Sequence, residues 1–430
     1  MTQSSLASLA EAQSSERAPG YFGWRVLLGA VVGLALSPGP VALLLIGALA
    51  PGLAAAHGWS FGAIMFNITI FNLASIVASP VAGSLIDRFG ARAVMLPSIV
   101  VMAICLPLWG YAADTLTRFY VISALYGFAT IGAQSLTYTK LLTSWFDDKR
   151  GLVLGIASAG LGLGYFLLPW IIAFGFGHFG SAGATVLLAG LLIALPLLLN
   201  VFFAYPRGQS AARIAPAAQA GMSLGAAAAT APFWLMAAAI FLISVIATGI
   251  VPNFANIAHD AGFDRNEAAT IASLFGLATL GGRLLVGWLF DRYFAPRVAC
   301  VIFLVAAAGY GLAAGAGALA LSLPVFVAAV MLMGIGFGAE SDLIGYLASR
   351  YFGYRHFGAI YGALLAIFIL GVAVGPLLYG LGRDATGSYH AVLAASAVLG
   401  AAAAALMLLL PRFPAADSAT PIEPFVAARP

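Results

Sequence analysis

The sequence predicts an all-α membrane protein with twelve transmembrane helices in two six-helix, pseudo-symmetric halves. Three observations predict it. The chain is 62% hydrophobic and only 8% charged, with a mean hydropathy of +1.02, whereas a soluble domain carries about a quarter charged residues. Apolar runs of about 20 residues, enough to cross roughly 30 Å of hydrocarbon, recur along its whole length. One short motif occurs twice: Gly83-Ser84-Leu85-Ile86-Asp87-Arg88-Phe89-Gly90-Ala91-Arg92, and Gly287-Trp288-Leu289-Phe290-Asp291-Arg292 followed by Arg297, with 204 residues from Asp87 to Asp291. Each copy follows the second apolar run of its half, so the bundle is duplicated.

Read in order, the apolar runs place helices near 24–50, 60–83, 93–112, 116–141, 151–176 and 183–205 in the first half. The second half repeats them near 231–256, 266–290, 298–318, 322–349, 358–382 and 388–411. The first is interrupted at Ser37-Pro38-Gly39-Pro40, and broken helices at membrane depth occur where they are buried in protein or line a cavity. The fifth carries Gly151, Gly155, Gly160, Gly162 and Gly164 before Pro169, and the eleventh Gly358, Gly362, Gly371, Gly375 and Pro376; such small residues let helices approach closely. The halves span 23–205 and 231–411, joined by a cytoplasmic linker at 206–230. Residues 1–22 and 412–430, Ala-rich and without a periodic apolar face, read as disordered cytoplasmic tails. The first lacks the basic start and apolar core of a cleaved signal peptide.

Orientation follows from the basic residues, which stay on the cytoplasmic side. Fourteen of the 19 Lys and Arg fall in the tails and the even-to-odd loops, against three, Arg118, Arg265 and Arg383, in the opposite loops. Both termini are therefore expected in the cytoplasm, in a multi-pass protein of the inner membrane. The net charge of +4 does not point to nucleic acid, because the cations are scattered singly between apolar runs. Cys105 and Cys300 lie a half-chain apart, giving neither a disulfide framework nor metal spacing. No phosphate-binding loop, nucleophile elbow or His-Glu-x-x-His motif occurs, so neither an enzyme, a cofactor nor an ATP-driven pump is expected.

A duplicated bundle is the signature of a secondary transporter, which directs attention to ionisable groups inside the membrane. Arg283 lies eight residues before Asp291, about 12 Å from that helix end, and its planar fork suits a carboxylate. Gly276, Thr279, Leu280 and Gly287 share its stripe and leave room beside it; a clamp between helices is the structural alternative. Glu340 and Asp342 in the tenth helix are candidate proton carriers, since low dielectric raises a carboxyl pKa. Two positions apart, they face different ways. Lys140 stands close enough to its helix end to reach water. Asn67, Gln134, Tyr138 and Tyr361 are uncharged substrate-binding candidates; Asn72, Asn253, Asn256 and Tyr346 are polar too, and any of these groups can instead satisfy neighbouring backbone. Asp87, Arg88, Asp291 and Arg292 are expected to form a conformational latch, an acid beside a helix N-terminus being stabilised until the halves rock apart. The arginines also serve to hold their loops inside.

The duplicated motif resembles the major facilitator superfamily. Tyr21-Phe22-Gly23-Trp24, Gly58-Trp59-Ser60, Trp145-Phe146 through Arg150-Gly151, and Gly281-Gly282-Arg283-Leu284 are similar to its bacterial oxalate/formate and monocarboxylate porter branch. The resemblance implies that Arg283 is the eighth-helix arginine that holds the substrate carboxylate. Two departures shape the expectation. The branch's oxalate carriers place a lysine in the eleventh helix, but Gly358 to Gly382 contains no Lys or Arg, so one carboxylate fits better than two. Animal monocarboxylate carriers place an acid where this chain has Thr279, which moves the proton role to Glu340. The expected function is alternating-access transport of an organic monocarboxylate, coupled to protons, by a monomer in the lipid bilayer. The alternative is a proton-antiport exporter of amphipathic drugs or metabolites, which has less use for Arg283. A third class, a scaffold or receptor on the same bundle, has no need of a latch.

Overall fold

The computed structural model describes residues 21–111, 114–146, 150–204, 221–319, 323–353 and 356–413. Both expected tails beyond these bounds, most of the linker, and the side chains of Asp87, Asp291, Glu340 and Asp342 lie outside the described residues. Helices α1 (Gly23–His57) and α2 (Phe61–Phe89) meet at Gly58, whose φ of 68° lets α1 end in a left-handed cap. Then follow α3 (Ala91–Tyr111), α4 (Leu116–Ala129 and Ser135–Thr143), α5 (150–179) and α6 (181–203). Gly180, at φ 71° and ψ −177°, separates the last two. The second half comprises α7 (Ala231–Asp260), α8 (Arg265–Arg292), α9 (Ala295–Leu319), α10 (Leu323–Phe352), α11 (Phe357–Thr386) and α12 (His390–Leu408).

Among the described residues, nine helical stretches are long and apolar enough to cross a membrane, and α10, bent by 41°, makes another. Leu152–Phe203 holds two spans, and the pieces of α4 are each too short to qualify alone. The twelve predicted helices are thus accounted for. No strand occurs among the described residues; Gly221 and Gly353 form an isolated bridge.

Two helices break where backbone bonding fails. In α1, Ser37 is extended at φ −73° and ψ 161°, because Pro38 and Pro40 have no N–H to return to the preceding turn. The Tyr126 hydroxyl donates to the Pro38 carbonyl at 3.1 Å and satisfies the break from α4. The fourth helix, expected as one rod over 116–141, passes through a 3-10 turn at Ile131–Ala133. There Gly132 lies so close to α3 that an added Cβ would sit 2.6 Å from Ser98 Oγ.

The helix ends need a larger correction. Asp87-Arg88, Asp291-Arg292 and Arg383-Asp384, left in loops by the hydropathy edges, all lie in final helical turns. Backbone hydrogen bonding continues after the apolar run stops, so each helix extends past the edge that hydropathy sets.

The packing repeats between halves. On α5, Gly160 and Gly164 press against the Val31 and Ala35 backbone of α1; on α11, Gly371 and Gly375 press against the Phe241 and Val245 carbonyls of α7. Gly127 of α4 abuts the Phe71 carbonyl of α2, and Gly334 of α10 abuts the Phe275 carbonyl of α8. The halves meet where α5 packs on α8, α2 on α11 and α1 on α7. In the last, Gly47 lies on the Pro252 carbonyl and Asn256 Nδ2 donates to Gly47 O at 3.3 Å.

Candidate functional site

Arg283 stands at this junction. Its Nη1 donates to the Ser158 carbonyl of α5 at 3.0 Å, and its Nε to the Gly338 carbonyl of α10 at 3.3 Å. The half-buried guanidinium therefore touches both halves of the molecule. Glycine at 338 lets α10 come close: a Cβ there would be 2.9 Å from Arg283 N. The Thr279 hydroxyl is buried and donates to Phe275 O at 2.8 Å, the usual way a helical threonine satisfies itself. The stripe expected to leave space is partly filled, since Gly276 lies on the Tyr165–Phe166 backbone and Leu280 against Gly162. Those residues make the α5–α8 contact. Only Gly287 of that stripe has nothing within 4 Å of an added Cβ.

The other candidates are dispersed. Asn67 of α2 is wholly buried, with neither Nδ2 nor Oδ1 hydrogen-bonded, and an unsatisfied amide calls for a partner. It lies six residues into α2, whereas Arg283 lies 18 residues into α8 from the same end, a difference of about 18 Å along the axes. Tyr138 is buried against Gly33, its hydroxyl likewise unbonded. Gln134 is half-buried where the second piece of α4 begins. Tyr361 stacks on Phe357 at 5.6 Å and faces Gly345 of α10. Lys140 is half-buried in the last turn of α4. Asn72 donates to Ile68 O, Asn253 to Gly249 O and Tyr346 to Phe290 O; these satisfy backbone.

Glu340 and Asp342 lie in α10 just beyond Gly338, which puts that stretch of backbone next to Arg283. In the duplicated motif, Arg88 lies over Phe89 at 5.2 Å and Arg292 over Trp288 at 4.3 Å, each on its own helix.

A cavity of about 720 Å³ opens between the halves at the end opposite the termini, lined among others by Phe61, Phe176, Phe254, Asn256, Arg265 and Arg383. Along α8 it reaches Ala272, about 16 Å short of Arg283. Aromatic rings close the way: Phe254 and Phe275 are 4.7 Å apart, Phe275 and Phe337 5.3 Å, Phe337 and Tyr165 5.2 Å. Just ahead of α12, outside the spans, burial raises the pKa of the Tyr389 hydroxyl, which donates to Asn253 Oδ1 at 2.9 Å. Sequence reasoning missed Arg383 and Asp384, which meet α2 here; two adjacent charges ending a glycine-rich helix were the available signal.

The chain is similar to an uncharacterised 38 kDa protein in the 23S RNA operon of Thermoproteus tenax, with 30% identity over 61% of this chain and 65% of that one. It thus spans just under two thirds of that relative. It is 28% identical to monocarboxylate transporter 11 of Homo sapiens, over 78% of this chain and 72% of the relative. With a gallate transporter of Pseudomonas putida it shares 27% over 81% and 87% respectively. A bacterial homologue of the human lysosomal transporter Spinster, solved inward-facing and unoccupied, superimposes with a TM-score of 0.70 at 16% identity, covering 90% of this chain and 97% of that one. The family description Major Facilitator Superfamily matches residues 33–316 and 236–428. With its twelve helices and repeated halves, the chain belongs to the Major Facilitator Superfamily and is a multi-pass membrane transporter, not an enzyme.

Proposed function

We propose that this protein carries an organic monocarboxylate across the cytoplasmic membrane, coupled to protons, by alternating access with both termini in the cytoplasm. The observation that carries this reading is the position of Arg283, a guanidinium donating to the Ser158 carbonyl of one half and the Gly338 carbonyl of its own. A carboxylate is a stronger acceptor than a peptide carbonyl and can take two parallel N–H bonds from the fork. Exchanging Ser158 O for substrate would loosen α5 from α8, so binding would act on the contact that must change as the halves rock. The similarity to a monocarboxylate transporter and a gallate transporter supports the same substrate class.

Glu340, with Asp342 as its alternate, is the proposed proton carrier, supported by the approach of α10 to Arg283 through Gly338. Asn67, Gln134, Tyr138 and Tyr361 are proposed to contact the substrate at other points of its passage; the unsatisfied Asn67 amide and Tyr138 hydroxyl support a polar ligand. Asp87, Arg88, Asp291 and Arg292 are proposed as the latch at the cytoplasmic end, and 206–230 as the linker. A monomer suffices, because both halves and the junction at Arg283 lie within one chain.

Counterflow in proteoliposomes loaded with unlabelled monocarboxylates, aliphatic and aromatic, tests the reading. Accumulation of a labelled monocarboxylate that collapses with Arg283→Lys is expected. Counterflow of dicarboxylates or uncharged amphiphiles alone would defeat it.

A further inference from the structure

The physics expected of Asp87 is found at the opposite end of the bundle. The first N–H groups of a helix lack intrahelical partners and carry its positive pole. At the start of α2, Ser60 Oγ accepts from Ala63 N at 3.2 Å. The two preceding donors are taken by the other half of the molecule: Phe61 N donates to Asp384 Oδ1 at 2.9 Å, and Gly62 N to Asp384 Oδ2 at 2.7 Å. One carboxylate from the last turn of α11 thus caps α2 across more than 320 residues of sequence. Backbone reaches backbone here. A Cβ on Gly380 would lie 2.8 Å from Phe61 O, and one on Gly62 2.7 Å from Leu381 Cδ2.

Arg383, next in sequence to the capping acid, grips the same place. Its guanidinium lies over the Phe61 ring at 4.1 Å and the Tyr389 ring at 5.5 Å, and Nη2 donates to Asp260 Oδ1 of α7 at 3.3 Å. Asp260 and Tyr389 belong to its own half, whereas Phe61 belongs to the other. Deeper along the same interface, the Thr69 hydroxyl of α2 donates to Ala373 O of α11 at 2.5 Å.

We infer that Arg383 and Asp384 form a conformational latch that holds α2 against α11 at the end of the bundle opposite the termini, along one wall of the cavity there, by capping α2 and clamping Phe61. Opening the 720 Å³ cavity towards the bundle centre separates α2 from α11, and both contacts must then break. Each is made of groups that water can serve instead, since the Phe61 N–H lies at an exposed site and exposed charged contacts are individually weak. The latch is therefore reversible. It rests on membership of the transporter family and not on the substrate, so it stands or falls apart from the monocarboxylate reading.

The test uses purified full-length protein carrying Ala373→Cys, a wholly buried position on the α2–α11 interface. The native Cys105 and Cys300 are buried, at 0% and 4% exposure, and report general loosening. Asp384→Asn keeps the shape but removes the charge and one acceptor oxygen; Arg383→Gln removes the clamp. Thiol modification followed by mass spectrometry is expected to show the introduced thiol reacting at least about tenfold faster in either variant, a population shift towards the open state, with Cys105 and Cys300 unchanged. An unchanged rate in both variants overturns the latch. So does a rise shared equally by the introduced thiol, Cys105 and Cys300, which would mean loss of packing and not opening of a gate.

Discussion

At Arg283 charge and geometry can be separated. Lysine keeps the positive charge but loses the planar fork, so Arg283→Lys is expected to lower initial uptake at least about tenfold while detergent-extracted protein melts at an unchanged temperature. Wild-type uptake at saturating substrate with unaltered affinity would show that no bidentate carboxylate contact is made. For Glu340, a permanently neutral side chain mimics the protonated state and cannot release its proton. Glu340→Gln is therefore expected to abolish accumulation driven by a pH gradient yet preserve exchange, with Asp342→Asn as the control. Normal accumulation by both variants would place coupling elsewhere. Arg283 was legible because a lone cation deep in an apolar run is conspicuous. Asp384 was not, because charges at a helix end are ordinary until the structure shows which helix they cap.

Single helices record the same division. The glycines of α5 and α11 were recognisable as packing positions, but their spacing did not say that Gly164 lies against the Ala35 carbonyl and Gly375 against that of Val245. A valine in place of Gly164 would drive its side chain into the α1 backbone, which is expected to cost about 1–3 kcal/mol and to lower the melting temperature. Gly52, where an added Cβ meets nothing within 4 Å, is the control, with Gly52→Ala expected to melt as wild type. Equal melting of Gly164→Val and wild type would show that this contact does not carry the α1–α5 packing. The prolines of α1 announced its break, since a missing N–H is a local property. The break in α4 went unseen: no proline marks 130–134, and the turn there accompanies the close approach of Gly132 to α3.

Across the whole molecule, the basic-residue bias makes a sidedness prediction. In intact cells an impermeant thiol reagent is expected to label Ala261→Cys, in the exposed turn between α7 and α8, and to spare Gly208→Cys in the linker. The reverse pattern would invert the proposed orientation. Span number, duplication and membrane residence were all readable from the chain, because hydropathy and repetition are sums over local residues that the bilayer reads directly. The position of a lone arginine at membrane depth was readable for the same reason. Tertiary structure alone decided that Arg283 bridges two halves, that Asn67 lies some turns away from it, and that Asp384 caps α2. Contacts between residues hundreds of positions apart depend on how the two bundles dock, and docking depends on the depth, tilt and facing of every helix at once, none of which a local pattern encodes.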